Sequence, residues 1–474
     1  MFMEKDCLGE MEIREDIYYG IQTERARNNF DISGSTVDDL PDFVQAIAEV
    51  KKAAALANCK IGKMEQQVAD AICQAADEII AGKMKGMFSV DVFQGGGSTS
   101  TNMNVNEVIA KRANEIITGH KGYDAVHPNT HVNRGQSTND VIPTAIAIAC
   151  YRYAVHMRKS LAHLDAALGR KVEAFKDVVK ASRTCIQDAV PITLGQEFSG
   201  YRAFTSRHLA LLDEMINAPL EITLGGTASG TGLSTFKGYM QEVYVQLAKV
   251  TGINVKRKEN LFDGFQNGDG YVRMSAYLKS LATGLGKIAT DLRIMSSGPR
   301  CGFREIFLPA VQPGSSIMPG KVNPVMPELI NQICYQVCGD DMAITMAVEG
   351  GELDLNVWEP VIIKNLDEQF RLLTGGMVKF ADLCIDGIKA NVEQCRKYAE
   401  GTMANATVAS AILGYPKGTE IAQKAVREGK TVKEVICELG IFPESEVERL
   451  FDPLMMTDWE KSSEIISGEK NAVK

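Results

Sequence analysis

The residues best suited to chemistry lie in one stretch at positions 314–324, which contains two serines, a lysine and an asparagine. Glycines and prolines interrupt it, so it cannot form a regular helix or strand. Its functional groups are the hydroxyls of Ser315 and Ser316, the ammonium of Lys321 and the amide of Asn323. Such groups suit the binding of an anion and the removal of a proton. A polar surface loop without a function is the alternative interpretation.

A second loop with functional groups lies at 94–102, where three consecutive glycines precede Ser98 and Thr99. Consecutive glycines let the backbone approach a ligand and present N–H groups to it. The following segment, 105–117, is predicted to be a helix, and helix N-termini attract carboxylates. The P-loop pattern GxxxxGK[ST] is absent here. A flexible linker would have a similar composition.

A third polar segment, 135–140, precedes a long helical pattern in which Pro143 falls in the first turn, where proline is tolerated. Its polar residues are Ser137, Thr138, Asn139 and Asp140. All four residue types are common helix N-caps, so capping explains them as well as ligand binding does.

Long amphipathic helices are predicted to position these loops. Two apolar stripes recur at intervals of three or four residues: Leu161, Leu164, Leu168, Val172 and Phe175, and then Leu278, Leu281, Leu285, Ile288, Leu292 and Met295. Repeats of this kind indicate helices packed on helices in a bundle. Further helices are predicted at 327–349, from 360 to about 391, and twice within 41–86. Stripes this long exceed what one chain is expected to cover, so we expect subunits to share the bundle.

The composition is typical of a soluble globular protein, with 45% hydrophobic and 23% charged residues in a chain of 474. The net charge of −9 and the lack of a basic block argue against nucleic-acid and membrane partners. Neither a signal-peptide pattern nor a transmembrane-length apolar run is found. The 11 cysteines form no CxxC pair and the histidines lack metal-site spacing. We therefore expect reduced thiols, a cytoplasmic location and no metal.

The stretch 314–324 as a whole resembles the signature of the aspartase/fumarase superfamily, and 325–328 is similar to its aspartase branch. Further segments resemble superfamily sequence in the same order along the chain, namely 18–23, 94–102, 135–140 and 182–198. The resemblance implies a mainly α fold with a central long-helix bundle and three domains, which we place at 1–139, 140–391 and 392–474. It also implies a homotetramer with active sites shared between subunits, and no cofactor.

The aspartase branch implies a carbon–nitrogen lyase that eliminates ammonia from L-aspartate to give fumarate. In that reaction a base removes the Cβ proton, and the carbanion spreads onto the β-carboxylate as an aci-carboxylate. By position in the motif, Ser315 is the base, while Lys321, the second catalytic residue, and Asn323 hold the substrate carboxylates. The family pattern further assigns Thr99, Ser137, Thr138 and Thr184 to the carboxylates and Asn139 to the amino group.

Cys185 departs from the family pattern, because many members have histidine at this position. In fumarases that histidine belongs to a proton relay with the glutamate that matches Glu328. Its loss argues against a hydratase, since hydroxide needs a proton donor to leave and ammonia does not. Cys185 and Glu328 are then expected to line the pocket.

Three alternatives to an aspartate-specific enzyme stay open. One is a related lyase for an N- or β-substituted amino acid, for which a cysteine in place of histidine leaves room. A class II fumarate hydratase is less favoured. A non-catalytic structural member of the superfamily is disfavoured because Ser315, Lys321 and Asn323 are all present.

Overall fold

The computed structural model describes residues 2–472, and most of them lie in α-helices. The helices are α1 (Ile21–Asn29), α2 (Pro41–Lys60), α3 (Gln66–Ile80), α4 (Thr99–Thr118), α5 (Thr138–Ala174), α6 (Leu194–Asn217), α7 (Tyr239–Thr251), α8 (Leu261–Gln266), α9 (Asp269–Met295), α10 (Val325–Glu349), α11 (Glu359–Leu383), α12 (Val392–Gly401), α13 (Ala406–Leu413), α14 (Tyr415–Glu428), α15 (Val432–Glu438), α16 (Glu444–Leu450), α17 (Pro453–Met456) and α18 (Trp459–Ala472). The predicted mainly α fold class is confirmed. Within the described range, no helix combines the length and apolarity that a membrane span needs.

The strands are short and form two-stranded sheets. They are β1 (Phe2–Asp6), β2 (Gly9–Ile13), β3 (Val179–Thr184), β4 (Gln187–Thr193), β5 (Leu220–Ile222), β6 (Val255–Arg257), β7 (Ile306–Phe307) and β8 (Lys389–Ala390). Strands β1 and β2, β3 and β4, and β7 and β8 pair antiparallel, whereas β5 and β6 pair parallel. The hairpin of β3 and β4 carries the predicted site residues Thr184 and Cys185.

The predicted helices are present, but several of their ends differ. The segment 41–86 contains α2 and α3, as predicted, whereas α4 begins at Thr99 rather than at 105. Helix α11 ends at Leu383 rather than near 391. The predicted extension of this helix to about residue 391 is wrong because Cys384 leaves the helical conformation, with φ −126° and ψ −72°. A 3-10 turn and strand β8 follow.

The chain divides into two compact units. Unit 1 comprises Met1–Arg158, Leu211–Ala282 and Tyr335–Leu373, and unit 2 comprises Lys159–Ala210, Thr283–Cys334 and Thr374–Lys474. Helices α5, α6, α9, α10 and α11 contribute residues to both units. The division into domains at 1–139, 140–391 and 392–474 stays a prediction.

Unit 1 is organised around α2, which packs against α3 and α7. The buried face of α2 is rich in alanine, and Ala46, Ala53 and Ala57 have no exposed surface. Small side chains let neighbouring helices approach closely. Helix α3 also packs against α4, which contacts α1 and the π-helical segment Pro128–Val132. These contacts hold the N-terminus of α4, where the loop 94–102 lies.

Unit 2 contains the hairpin of β3 and β4, with α12 packed on β3 and α17 on β4. Its C-terminal helices, α13 to α16, enclose a small apolar core. The buried residues of that core are Ala406, Ala409, Ile412, Ile421, Ala425, Val432, Val435, Ile436, Phe442, Val447, Leu450 and Phe451. This core lies within the segment 392–474, for which the resemblance implies a separate domain.

The apolar stripe of α9 is already covered within the single chain. All six of its residues, from Leu278 to Met295, are at most 4% exposed. The expectation that this stripe needs other subunits to cover it is therefore wrong. The exposed apolar residues lie on α10 instead, where Tyr335, Met342 and Met346 are each at least 60% exposed.

Gly195 lies where β4 passes into α6, directly against the end of α5. Its N–H donates to the Phe175 carbonyl oxygen at 2.9 Å. A Cβ atom at this position would lie 2.7 Å from the Lys176 Cα and 2.8 Å from the Val172 carbonyl oxygen. These are backbone atoms, which cannot rotate away as a side chain can. Glycine therefore permits the close approach of α5 and α6, and with it the position of the hairpin between them.

We expect Gly195→Ala to lower the stability of the protein by about 1–3 kcal/mol, the usual range for an overpacked site. Urea or thermal unfolding followed by circular dichroism measures the change. Gly200→Ala is the matched control, because this α6 residue has no atom within 4 Å of an added Cβ. That control should be neutral or gain up to about 1 kcal/mol, since alanine favours helix. Equal midpoints for the two variants would contradict the packing argument.

Candidate active site

The stretch 314–324 forms a loop that closes on itself at its base. The Gly314 N–H donates to the Lys321 carbonyl oxygen at 2.8 Å, and the Asn323 side-chain amide donates to the Gly314 carbonyl oxygen at 2.8 Å. A Cβ at Gly314 would lie 2.7 Å from the Asn323 nitrogen, so only glycine fits there. The base of the loop thus fixes Lys321 and Asn323 against Gly314, and so relative to the turn formed by residues 315–320.

Ser315 lies inside this loop with its hydroxyl oxygen facing two backbone donors. Its Oγ accepts the N–H of Met318 at 2.9 Å and that of Ile317 at 3.2 Å. Donors of this kind stabilise a negatively charged oxygen more than a neutral one. The large side chains of Ile317 and Met318 are exposed. The loop therefore holds Ser315 with a polarised hydroxyl, next to the exposed apolar side chains of Ile317 and Met318.

A cavity of about 820 Å³ in unit 2 brings three predicted residues together. Its lining includes Lys321, Asn323 and Glu328, together with Arg293 and Arg304. Among these residues three side chains are cationic and one is a carboxylate, so the cavity favours an anion. Ser315 does not belong to this lining.

The hairpin tip places Thr184 and Cys185 on the surface of the single chain. The turn has two residues, Cys185 and Ile186, with φ of 54° and 58°. Positive φ at both central residues is what a type I′ turn requires, but it is rare for a β-branched residue such as isoleucine. Strain of this kind concentrates at functional sites.

Buried charges hold this hairpin in place. The Lys180 ammonium, 2% exposed, contacts the carboxylates of Glu305 at 3.2 Å and Glu197. The Arg183 guanidinium contacts the same Glu305 carboxylate at 2.9 Å and lies 4.2 Å from the Phe303 ring centroid. Removing one partner of such a group leaves an uncompensated buried charge, which is strongly destabilising. The cluster therefore ties β3 to the segment that leads into the loop 314–324.

In unit 1, Thr99 is the first residue of α4 and lies next to the glycine run. Its hydroxyl donates to the Gly96 carbonyl oxygen at 2.8 Å, and its side chain is exposed. The Gln94 side-chain oxygen accepts both the N–H and the hydroxyl of Thr101, at 3.1 and 2.9 Å. Gln94 therefore caps the helix and leaves Thr99 at its open end.

The second motif of unit 1 is held by a carboxylate. Asp140 accepts the N–H of Ser137 at 2.9 Å, and its other oxygen accepts N–H groups from Gly225 at 3.0 Å and Thr227 at 2.9 Å. The Asn139 side-chain amide donates to the Ala228 carbonyl oxygen at 2.8 Å. The segment 225–228 is therefore part of this site.

This segment was not among the site residues predicted from the sequence. Its surroundings, 225–235, are rich in glycine, serine and threonine. That composition matches the loop 94–102 and could have identified it.

Asp140 has a buried counterpart of opposite charge. Burial raises the pKa of Asp140 to about 7, although backbone N–H donors and the Lys51 ammonium act to lower it. Burial likewise lowers the pKa of Lys51 to about 7, against the opposing effect of Asp140. Both side chains are fully buried. A buried pair of opposite charges thus lies beneath the second motif.

The predicted site residues are divided between the two units. Thr99, Ser137, Thr138 and Asn139 belong to unit 1, and Thr184, Cys185, Ser315, Lys321, Asn323 and Glu328 belong to unit 2. Over residues 2–472, no group of three or more His, Cys, Asp or Glu residues could hold a metal ion. The catalytic and binding roles of these residues stay predictions.

Comparisons with known proteins support the sequence resemblance. A family described as "Lyase" matches residues 9–339, and one described as "Fumarase C C-terminus" matches 406–458. An aspartate ammonia-lyase of Bacillus subtilis is 45% identical over 457 residues, which cover 96% of each protein.

Solved structures agree with this assignment. A fumarate lyase:delta crystallin of Brucella melitensis bound to cobalt is 46% identical, with a TM-score of 0.92, and the match covers 96% of this chain and 99% of the other. A class II fumarase of Schistosoma mansoni is 35% identical, with a TM-score of 0.92 over the same shares. The chain therefore belongs to the aspartase/fumarase superfamily of lyases, and it is an enzyme of that superfamily.

Proposed function

We propose that the chain is an aspartate ammonia-lyase, a carbon–nitrogen lyase that converts L-aspartate reversibly into fumarate and ammonia. The observation that carries the proposal is the pair of backbone N–H groups, from Ile317 and Met318, that meet the Ser315 hydroxyl oxygen. The curated relatives named aspartate ammonia-lyase, at 42–45% identity, support the choice of substrate.

Ser315 is the proposed base. A neutral serine is a weak base, so it must act as an alkoxide, and two N–H donors at its oxygen favour that form. The alkoxide takes the proton from Cβ of the substrate. The electron pair left on Cβ spreads onto the adjacent carboxylate, which becomes a doubly charged aci-carboxylate.

The negative charge that develops on the carboxylate makes the largest contribution to the barrier of this reaction. Preorganised donors and cations stabilise that charge most when water is excluded. We assign this task to Lys321 and Asn323, whose side chains line the cationic cavity with Arg293 and Arg304. The electron pair then forms the double bond as the Cα–N bond breaks, and the substrate ammonium leaves as ammonia. No acid is needed for this departure.

We expect Ser315→Ala to lower kcat by about 10²–10⁴, the range for loss of a general base. A continuous assay of fumarate absorbance measures it, and circular dichroism checks the fold. Ser316→Ala is the matched control, because this exposed neighbour has no assigned role. A Ser315→Ala enzyme with more than a tenth of the wild-type rate would exclude Ser315 as the base.

We also propose a homotetramer with shared active sites. The support is an exposed face of α10 that carries no charge between residues 332 and 346, formed by Gln332, Tyr335, Gln336, Gly339, Met342, Thr345 and Met346. Exposed apolar surface rimmed by polar residues is typical of subunit interfaces. At its centre, an added Cβ on Gly339 would meet nothing within 4 Å, so a partner helix could approach closely. We place the enzyme in the cytoplasm, since the 11 cysteines, all within residues 2–472, form no disulfide there.

Shared sites predict complementation between inactive subunits. Ser315→Ala and Thr184→Ala tetramers should each be inactive, but mixed tetramers should regain part of the activity, because some sites then draw both intact residues from different chains. The two variants, each with its own affinity tag, are unfolded together, refolded and purified through both tags before the assay. Each variant refolded with itself is the control. Verified mixed tetramers without recovered activity would contradict shared sites.

A lyase for an N- or β-substituted amino acid is the second candidate, and the exposed Cys185 is the observation that favours it. A thiol is smaller than the imidazole that many family members carry at this position, so a larger substrate could fit. A fumarate hydratase is disfavoured because the same substitution removes a proton donor.

We expect Cys185→Ser to retain most aspartate turnover, because the proposed elimination forms no bond to sulfur. The full pH profile of kcat/KM should also stay close to that of the wild type. N-substituted aspartates assayed in parallel test the second candidate. A loss of three orders of magnitude in a folded Cys185→Ser enzyme would favour a substrate or mechanism that uses the thiol.

A further inference from the structure

A buried polar network in unit 1 begins at Lys51 on α2. Lys51 has no exposed surface. Its ammonium donates to the side-chain oxygens of Asn133 at 2.9 Å and Gln136 at 3.0 Å. The Gln136 amide nitrogen is itself held by the carbonyl oxygens of Val132 and Arg134. Lys51 therefore binds one amide just before the segment 135–140 and one within it.

The ammonium determines how the Asn133 amide is oriented. While it is protonated, the Lys51 side chain is only a donor, so each amide turns its oxygen toward Lys51. The same Asn133 oxygen accepts N–H groups from Asn102 at 3.3 Å and Asn106 at 3.1 Å. Three donors thus converge on one oxygen, and the amide cannot flip without losing all three.

Asn102 extends this order to the site. Its side-chain nitrogen carries two protons. It donates to the Asn133 side-chain oxygen and, at 3.1 Å, to the Thr138 hydroxyl oxygen. Since Thr138 accepts at that oxygen, its own O–H is free to donate elsewhere. Asn102 is 1% exposed and Thr138 is 8% exposed, so water competes little for these bonds.

We propose that Lys51 is a positioning residue that, through Asn133 and Asn102, directs the Thr138 hydroxyl to donate its proton to a substrate carboxylate. This inference rests on the proposed function, which assigns Thr138 to the substrate. Lys51 itself touches neither the substrate nor the reacting atoms. Its effect is to exclude the orientation in which the Thr138 proton would point at Asn102, and so to favour those that leave the proton available to an anion.

A purely structural role explains Lys51 less well. A buried ammonium is expensive to desolvate, and well-packed apolar residues often replace buried charges without loss of stability. The neighbouring Asp140 offsets part of the charge, yet its carboxylate is already bound by three backbone N–H groups. The hydrogen bonds of Lys51 run instead to the chain of amides that ends at Thr138.

The first experiment replaces Lys51 with an apolar side chain of similar length. We expect Lys51→Met to weaken binding of succinate, an unreactive dicarboxylate, by on the order of 10- to 100-fold, as for a lost hydrogen bond to a charged group. KM for aspartate should rise in parallel, with a smaller change in kcat. Lys52→Met is the matched control, because Lys52 is the next residue of α2 and pairs with Asp77 instead. Unchanged succinate affinity in a folded Lys51→Met protein would overturn the proposal.

A double-mutant cycle separates positioning from a general structural effect. If Lys51 acts through Thr138, Lys51→Met should change succinate affinity less than about threefold in a Thr138→Val background. Equal effects in both backgrounds would overturn the proposal. If Lys51→Met does not fold, Asn102→Ala replaces it in the same cycle, because it removes the donor to Thr138 directly.

Calorimetry of succinate binding keeps the two proposals distinguishable. Wild-type protein that binds succinate but does not turn over aspartate would contradict the proposed function, and the cycle would still decide the role of Lys51. Wild-type protein that turns over aspartate, with additive effects of the two substitutions, would contradict only the role of Lys51.

Discussion

The segment 135–140 and the start of α1 depend on buried carboxylates that accept backbone N–H groups. A buried N–H without a partner costs about as much as a lost hydrogen bond, so an irregular segment can lie inside only if side chains satisfy it. Asp140 does this for Ser137 and the segment 225–228, and Glu107 does it for residues 20–23. Burial raises the pKa of both carboxyl groups, and the N–H donors act against that rise.

In unit 2, buried charged pairs rather than backbone N–H groups hold the hairpin of β3 and β4. Glu305 is fully buried, and its carboxylate meets the ammonium of Lys180 and the guanidinium of Arg183. Both cations belong to β3, so the hairpin that carries Thr184 can turn through a strained tip while its base stays fixed. Buried charges are a costly way to stabilise a fold, but displacing one partner leaves an uncompensated charge, which restricts movement of the hairpin. A hairpin that must present a hydroxyl at a fixed point benefits from that restriction.

The sequence predicted the helices well because their apolar stripes are long, but it could not predict what covers each stripe. Periodicity identifies a buried face and not its neighbour. The stripe of α9 is covered within the chain, whereas Tyr335 and Met342 of α10 stay exposed. Helix ends were also missed where a side chain outside the helix decides them. Gln94, for example, caps α4 through Thr101 and lets the helix begin earlier than its apolar pattern does.

The sequence likewise predicted only part of the site, although it contained one further signal, at Lys51. The residue types of 314–324 identified that loop, whereas Lys51 passed unnoticed as one charge among many on an alanine-rich helix. Its position on α2 is nevertheless informative, because Ile47, Ala54 and Ala55 lie four residues before it and three and four after it, and all are buried. A lysine on such a face must find acceptors inside the protein, since water cannot reach it. Lys52, one residue on, lies off that face and reaches Asp77 instead. A charge on an apolar helix face therefore indicates an internal polar network, even though only the fold shows where that network leads.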